Sequence, residues 1–418
     1  MLEILKSPRR ILLVEPPFYR LFGYKRWHYP MTLVLIGTYL QALGHEVSIY
    51  DGDKPTPECR EYGRNEAGEN YHKYEEAIED NGHPAWLEIR DIIAEYKPEI
   101  VGITSVTAKI DSANHVARIA KEISGSIQTA LGGSHVLAMS STYPGYNFGD
   151  IYDHIVTTIP NLVDRRPNKK LLMGYKTYSP QNFFTIMTSS GCPFSCTFCC
   201  SSYNRKVIYR SIDSIRSEFE ELTTEFGSAY SIYFIDESFL SNTPRFLKMA
   251  SLAREFGMKY QGGGRVMDLS PGKIATFMES GGIKVHIGVE SGSQRILDLV
   301  RKNVSIVEIK RRTKWLNEAG LPWSAFFIAG FPFETVDDLK MTEELINEIQ
   351  PSFVSLNHFT PYPGTKIYDD FYKGSNFRFR DMFQLNNKHY LNTDAATRAY
   401  IGKMFAFVDK YNQGKKNN

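Results

Sequence analysis

The sequence predicts an α/β protein: a doubly wound parallel sheet, then a partial six-unit β/α barrel, then a short C-terminal cap. Short apolar runs alternate with stretches of helical period along most of the chain. The alternation falls into two blocks, residues 1–165 and 166–375, leaving 376–418 as an extension. The chemically distinctive residues fall just after strands, where both kinds of fold place their sites.

The chain has 418 residues, enough for two domains. Its 42% hydrophobic and 23% charged residues are those of a soluble globular protein. A formal net charge of +2 gives no electrostatic footprint for nucleic acid. The longest apolar stretch, Met31 to Leu43, is broken by Gly37, Thr38 and Gln41 and is too short to span a membrane. Five cysteines in a chain this long, with no secretory-leader pattern, point to the reducing cytoplasm rather than to a disulfide framework.

In the first block, Arg10 to Glu15 is an apolar run stopped by Pro16-Pro17, and so a buried strand. Met31 to Leu43 has helical spacing and stops at Gly44. His45 to Asp51 alternates as a second strand. A polar insert, about 52–83, is too long for a tight connection and reads as a lid or a disordered loop. Leu87 to Tyr96 is helical, Glu99 to Ser105 a third strand and Ser112 to Ile123 a helix. Ile127 to Gly133 is a fourth strand ended by a glycine pair, and Ile151 to Val156 a fifth. No GxGxxG follows the first strand, so the dinucleotide fingerprint is absent.

In the second block, strands centre on 184–186, 232–235, 259–262, 285–289, 324–328 and 353–356. Helices cover 212–226, 245–256, 271–279, 307–319 and 336–349. Asp236-Glu237 ends the second strand, Arg265 the third, Glu290-Ser291 the fourth and Ala329-Gly330-Phe331-Pro332 the fifth. A helical stretch from Ala395 to Tyr411 belongs to the cap.

The run Gly191-Cys192-Pro193-Phe194-Ser195-Cys196-Thr197-Phe198-Cys199-Cys200 follows the first barrel strand and holds four of the five cysteines. Thiolates this close in sequence can wrap one metal centre. Closed structural zinc needs four ligands, and no second CxxC pair exists here. Cys200, adjacent to Cys199, is badly placed to share the same centre and reads as a small buried residue beside the site.

The CxxxCxxC spacing, with Phe198 before the last cysteine, resembles the radical S-adenosylmethionine (radical SAM) superfamily. The ordered strand-end residues extend that resemblance over residues 182–366. It implies that Cys192, Cys196 and Cys199 hold a [4Fe–4S] cluster whose fourth iron is open to S-adenosylmethionine (SAM). It implies further that Asp236 or Glu237 faces the amino group of SAM. Glu290, with Ser291 beside it, would meet the ribose, and Phe198 and Ile328 the adenine. Arg265 would meet the methionine carboxylate or the substrate.

Residues 10–160 resemble the Rossmann-like cobalamin-binding domain that precedes many radical SAM domains, the class B methyltransferase-like branch. The likeness rests on Pro16-Pro17, Gly44-His45, Val101-Gly102-Ile103-Thr104 and Gly132-Gly133-Ser134-His135. It implies cobalamin held by Pro17, Thr104, Ser105, Gly132, Gly133, Ser134 and His135. Two departures stand out: DxHxxG is missing, and Val156-Thr157-Thr158-Ile159-Pro160 stands where many relatives have Gly-Glu-Gly-Glu.

The resemblance implies cobalamin-dependent methylation of an unactivated carbon in a small molecule, with flavodoxin or ferredoxin as electron donor. The alternative is radical oxidation, rearrangement or ring contraction without methyl transfer. Methylthiotransfer would need three more cysteines in the first half, where Cys59 stands alone. A cobalamin carrier or sensor would need no redox cluster loop. Neither nucleic acid nor membrane is expected as a partner.

Overall fold

The computed structural model describes residues 6–60, 68–158, 164–200, 205–384 and 393–416. They form two compact units. The first is Met1–Asn182 with Tyr362–Gly364 and Gly374–Asn386, and the second is Phe183–Pro361 with Thr365–Lys373 and Asn387–Asn418. No helix among the described residues is long and apolar enough to cross a membrane.

The first unit is built on five parallel strands: β1 (Arg10–Glu15), β2 (Glu46–Asp51), β3 (Ile100–Thr104), β4 (Gln128–Gly132) and β5 (His154–Ile155). Their order is β2-β1-β3-β4-β5, so the winding reverses between β1 and β3. Leu12, Val14, Val101 and Ile103 face one side and pack with Trp86, Ile89, Ile93 and Val116 from helices Pro84–Tyr96 and Ile110–Ile123. Ile49 faces the other side and meets helix Met31–Ala42 at Gly37, where an added Cβ would lie 3.1 Å from Ile49. Burial on both faces explains why these strands read as continuous apolar runs.

Two segments join this unit against expectation. Residues 166–182, read as the start of the barrel, are bonded to β2: Met173 donates to the carbonyl of Ile49 at 2.8 Å and Tyr178 to Asp51 at 2.9 Å. The C-terminal extension, read as one cap, is divided. Its first part brings Phe383 into the sheet unit's core, stacked on Tyr71 with ring centroids 5.6 Å apart. Arg380 pairs with Glu79 and Asp111, and Arg378 with Glu75 and Asp381. The later helix, Ala395–Lys416, lies on the barrel strand Phe353–His358, where the Asn412 amide bonds both the N–H and the carbonyl of Val354 at 2.9 Å.

The polar insert is no free lid in its described parts, 52–60 and 68–83. It contains helix His72–Glu79, and Tyr71 and Tyr74, three residues apart, enter an aromatic cluster with Phe18, Phe22 and Phe383. Two large aromatics on one face outweigh a polar average, because burying each removes far more apolar surface than the Glu and Asn residues expose. Residues 61–67 lie outside the described part.

The second unit is an open barrel of six parallel strands in the order β13-β12-β11-β10-β9-β6. These are β6 (Thr185–Ile186), β9 (Ile232–Phe234), β10 (Tyr260–Arg265), β11 (Gly282–Glu290), β12 (Trp323–Ala329) and β13 (Phe353–His358). All six predicted strands are present, as are the predicted helices, observed as Ile212–Phe226, Thr243–Glu255, Pro271–Glu279, Ile306–Glu318 and Val336–Ile349. Each helix starts at a side-chain cap: Ser211, Asn242, Ser270, Ser305 and Thr335 accept from the first turn. Two short strands the periodicity does not reveal, β7 (Ser189–Ser190) and β8 (Ile208–Tyr209), pair antiparallel on either side of the cysteine run.

At the carboxyl ends of β1 and β2 lies a buried ionic network. Lys109 bridges Glu15 at 2.5 Å and Asp53 at 2.6 Å, and Arg26 reaches Asp51 at 2.5 Å and Glu15 at 3.4 Å. Two cations thus hold three carboxylates away from water. Lys109→Ala is expected to lower stability by about 3–5 kcal/mol, because it strands buried carboxylates; denaturant unfolding measures this, and a change under about 1 kcal/mol would contradict the network's role.

Candidate active site

The cysteine loop is pinned at several points. Before it, the Asp236 carboxylate accepts from the N–H and hydroxyl of Thr188, at 2.6 and 2.5 Å, and from the Ser189 hydroxyl at 2.7 Å. Gly191 opens the loop at φ +96°, a conformation that suits glycine, and its N–H is bonded to the Glu237 carboxylate. Within it, Cys199 N–H donates to the Cys196 carbonyl at 3.3 Å. Thr197 ties it to the rest of the barrel: its N–H donates to Val300 at 3.0 Å, and its carbonyl accepts from Ile367 at 3.1 Å.

The three motif cysteines are half-buried, whereas Cys200 is exposed, contrary to its reading as a buried neighbour. It follows the last turn of the loop and points out of the packed interior. Burial pushes the Cys192 and Cys196 thiols above their usual pKa. Arg265 opposes this at both, and Lys302 opposes it at Cys196. Cys199 is within electrostatic reach of the other two. Among the described residues, no three Cys, His, Asp or Glu side chains close round a single ion. A four-iron cluster does not require that, since each thiolate binds a separate iron. Three neighbouring thiols with two cations beside them fit such a cluster.

The strand-end residues surround this loop unequally. Asp236 is buried and spent on Thr188 and Ser189, so it holds the loop rather than facing a ligand. Glu237, next along, is exposed at the rim and lies near Cys192. The Arg265 guanidinium stacks on Phe194 of the loop, 3.8 Å from the ring centre, and donates to the Lys302 carbonyl. Glu290 is buried at φ +74° and forms a 2.5 Å ion pair with Lys302. Ser291 is fully buried, shares a hydrogen bond with Thr342 at 3.3 Å and accepts from Ser293 N–H, so it shapes the turn and does not reach a ligand. Phe198 is half-buried and lies edge-on to Phe331, and Ile328 is partly exposed near the end of β12. A cavity of about 570 Å³ beside the loop is lined by Gly191, Phe194, Tyr209, Asp236, Ser238 and Asn242.

Two residues of this site escaped the sequence reading. Lys302 lies in a polar link with no periodicity, and only the fold carries it to Glu290. Gly288 makes room for the pair: a Cβ there would stand 2.5 Å from Glu290 Oε1 and 2.9 Å from Lys302 Nζ. Glu334, in the turn after β12, is the other: its carboxylate accepts from Gly330 N–H at 2.5 Å.

In the sheet unit, Thr104, Ser105, Gly132, Gly133, Ser134 and His135 come together at the ends of β3 and β4. Ser105 N–H donates to Gly132 at 3.0 Å, and His135 N–H to Ser105 at 3.1 Å. Gly133 is at φ +101°, and a Cβ would lie 2.5 Å from the Ser105 carbonyl, so its smallness serves chain packing. Pro17 is buried instead at the end of β1, against Gly52. His135 Nδ1 bonds Thr107 at 3.3 Å, while its buried Nε2 has no partner. Burial lowers its pKa to about 4, so the ring is neutral.

Gly288→Ala is expected to part Glu290 from Lys302 and to cost about 1–3 kcal/mol of stability by overpacking. Urea unfolding tests this, and an unchanged midpoint would show that the pair can move aside.

Residues 186–346 match the Radical SAM superfamily. The chain is 28% identical over 332 residues to an uncharacterised methyltransferase of Pyrococcus horikoshii, covering 68% of this chain and 71% of that one. It is 25% identical to the anaerobic magnesium-protoporphyrin IX monomethyl ester cyclase of Rubrivivax gelatinosus, covering 68% of this chain and 60% of the cyclase. Its fold resembles that of TsrM from Kitasatospora setae, a radical SAM methyltransferase, with a TM-score of 0.60 at 14% identity over 86% of this chain and 75% of that one. It also resembles OxsB, a cobalamin-dependent SAM radical enzyme, with a TM-score of 0.59 at 13% identity over 98% of this chain and 57% of OxsB. Family match, barrel topology and the seating of three cysteines after the first barrel strand lead to one conclusion: this chain carries a radical SAM domain.

Proposed function

We propose that the protein is a cobalamin-dependent radical SAM methyltransferase acting on an unactivated carbon of a small molecule. The observation that carries this reading is the pinned CxxxCxxC loop in a chain that also bears a doubly wound sheet unit. TsrM, which has that overall fold, has been solved with cobalamin and a [4Fe–4S] cluster, and OxsB with aqua-cobalamin and SAM. When bound, the cluster would supply one electron to cleave SAM to methionine and a 5′-deoxyadenosyl radical, and cobalamin would relay a methyl group.

The chain's own residues divide the remaining work. Cys192, Cys196 and Cys199 ligate the cluster and leave one iron open. Glu237 meets the SAM amino group, since Asp236 is committed to Thr188 and Ser189. Glu290, paired with Lys302, takes the ribose. Phe198 and the backbone near Ile328 flank adenine, and Arg265 braces the loop through Phe194. In the sheet unit, small residues at the ends of β3 and β4, with the unpartnered neutral nitrogen of His135, offer a polar edge for cobalamin. A flavodoxin or ferredoxin supplies electrons. The near-neutral net charge supports a small-molecule substrate rather than nucleic acid or a membrane.

A second reading, radical chemistry without methyl transfer, draws on the likeness to the cyclase. Anaerobic expression with cobalamin supplied, followed by iron, sulfide and cobalamin analysis, separates the two. About four irons and one cobalamin per chain are expected; iron without cobalamin would shift the reading to oxidation or rearrangement. Joint replacement of Cys192, Cys196 and Cys199 by Ala should abolish cluster absorbance and SAM cleavage, while Cys200→Ser should spare both. Cleavage retained in the triple variant would overturn the cluster assignment.

A further inference from the structure

The cysteine run lies close to the surface of the barrel unit. The cavity of about 570 Å³ beside it is lined by Gly191 and Pro193, which flank Cys192 in sequence, and by Phe194. Cys192 therefore sits between two residues that face the cavity. Val207 and Tyr209 line it too, at the β7–β8 ribbon, in which Ser189 pairs with Tyr209 and Ser190 with Ile208. At the other end of the run, Cys199 is half-buried and Cys200 is exposed. The loop thus reaches solvent on the side where this ribbon begins and ends.

The ribbon is both apolar and basic on its exposed side. Ile208 is 42% and Tyr209 40% exposed, and Pro244 at the cavity is exposed as well. Large apolar side chains left in water in a two-residue strand add little to the barrel's own core, and they suit a contact with another molecule. From Thr188 to Ile212 the chain carries Arg205, Lys206 and Arg210 and no carboxylate. Arg210 is turned inward on Glu218, so Arg205 and Lys206 are the cations on display. The Arg245 guanidinium adds to them, 5.6 Å from the centre of the Tyr209 ring. Of the carboxylates at hand, Asp236 is spent on Thr188 and Ser189, Glu237 accepts from Gly191 N–H, and Asp213 is exposed in the first turn of helix Ile212–Phe226.

We propose that residues Arg205 to Tyr209, with the cavity mouth beside them, form the docking surface for a small acidic protein that carries single electrons. This rests on the radical SAM reading above. Each reductive cleavage of SAM consumes one electron from outside the chain. Electrons cross between proteins only over short distances, so the carrier must dock where the cysteine loop nears solvent. One electron leaves the carrier's redox centre and one enters the cluster, and no bond is made or broken at the interface. Arg205 and Lys206 draw in an acidic partner and raise its encounter rate, while Ile208 and Tyr209 exclude water from the contact. Redox encounters bury under about 1,200 Å², so a patch of a few residues is enough.

The test uses the full-length, iron-loaded protein and follows 5′-deoxyadenosine formed from SAM with two reductants, reduced flavodoxin and excess dithionite. Flavodoxin has to dock; dithionite, a small ion, does not. The double variant Arg205→Glu, Lys206→Glu should cleave SAM about tenfold more slowly at subsaturating flavodoxin, through a raised apparent KM, and should stay within about twofold of wild type in iron content and in dithionite-driven cleavage. Raising salt from about 50 to about 300 mM should slow the flavodoxin-driven wild type, and the double variant should lose most of that dependence. Ile208→Ser should raise the flavodoxin KM yet keep the wild-type salt dependence. An unchanged flavodoxin KM in the double variant, an unchanged salt slope, or an equal loss with both reductants would each overturn the proposal, as would a wild type that cleaves SAM with dithionite but not with flavodoxin. An iron-loaded wild type that cleaves no SAM with either reductant would overturn the radical SAM reading itself.

Discussion

The cysteine loop stands where it does because of one carboxylate. Asp236, at the end of β9, collects the N–H and hydroxyl of Thr188 and the hydroxyl of Ser189, all three bonds within buried surroundings. A carboxylate in a low-dielectric interior demands donors, and these donors are the residues that lead the chain into the loop. Arg245 reinforces the same point by donating to the Thr188 carbonyl at 3.2 Å and to that of Arg210 at 2.7 Å. Three thiols on a short loop can hold a cluster only if the loop's entry is fixed. Thr197 then fixes its middle through its bonds to Val300 and Ile367.

Much of the fold was legible, for reasons that particular elements make plain. Strands such as β12 and β13 are short apolar runs between turn residues, and the five long barrel helices begin at Ser, Asn or Thr caps that sequence displays directly. Helix Gln294–Leu299, of 6 residues, and the two-residue strands β7 and β8 carry too little period to be seen. The insert misled because its average polarity hid Tyr71 and Tyr74. The C-terminal extension misled because contiguity in sequence was read as contiguity in space.

The site was legible in its chemistry and less so in its division of labour. CxxxCxxC marks three candidate ligands by their spacing. Which of Asp236 and Glu237 faces outward depends on what each is bonded to, and only the packing of Thr188 decides that. Ser291 follows Glu290 in sequence, yet its hydroxyl serves Thr342 and Ser293. Lys302 and Glu334 act through contacts made across loops, which leave no local pattern to read.

The return of the chain to the sheet unit carries a consequence for how the molecule is made. Phe383 fills an aromatic cluster whose other members, Phe18, Phe22, Tyr71 and Tyr74, leave the ribosome more than 300 residues earlier. A domain finished by its own N-terminal stretch could fold while synthesis continues. Here the first unit must wait, its aromatic face open, until the whole barrel has been translated. The nascent sheet is therefore the stage at which a chaperone that shields apolar surface has most to protect, and severing the chain after residue 182 would leave that surface permanently uncovered.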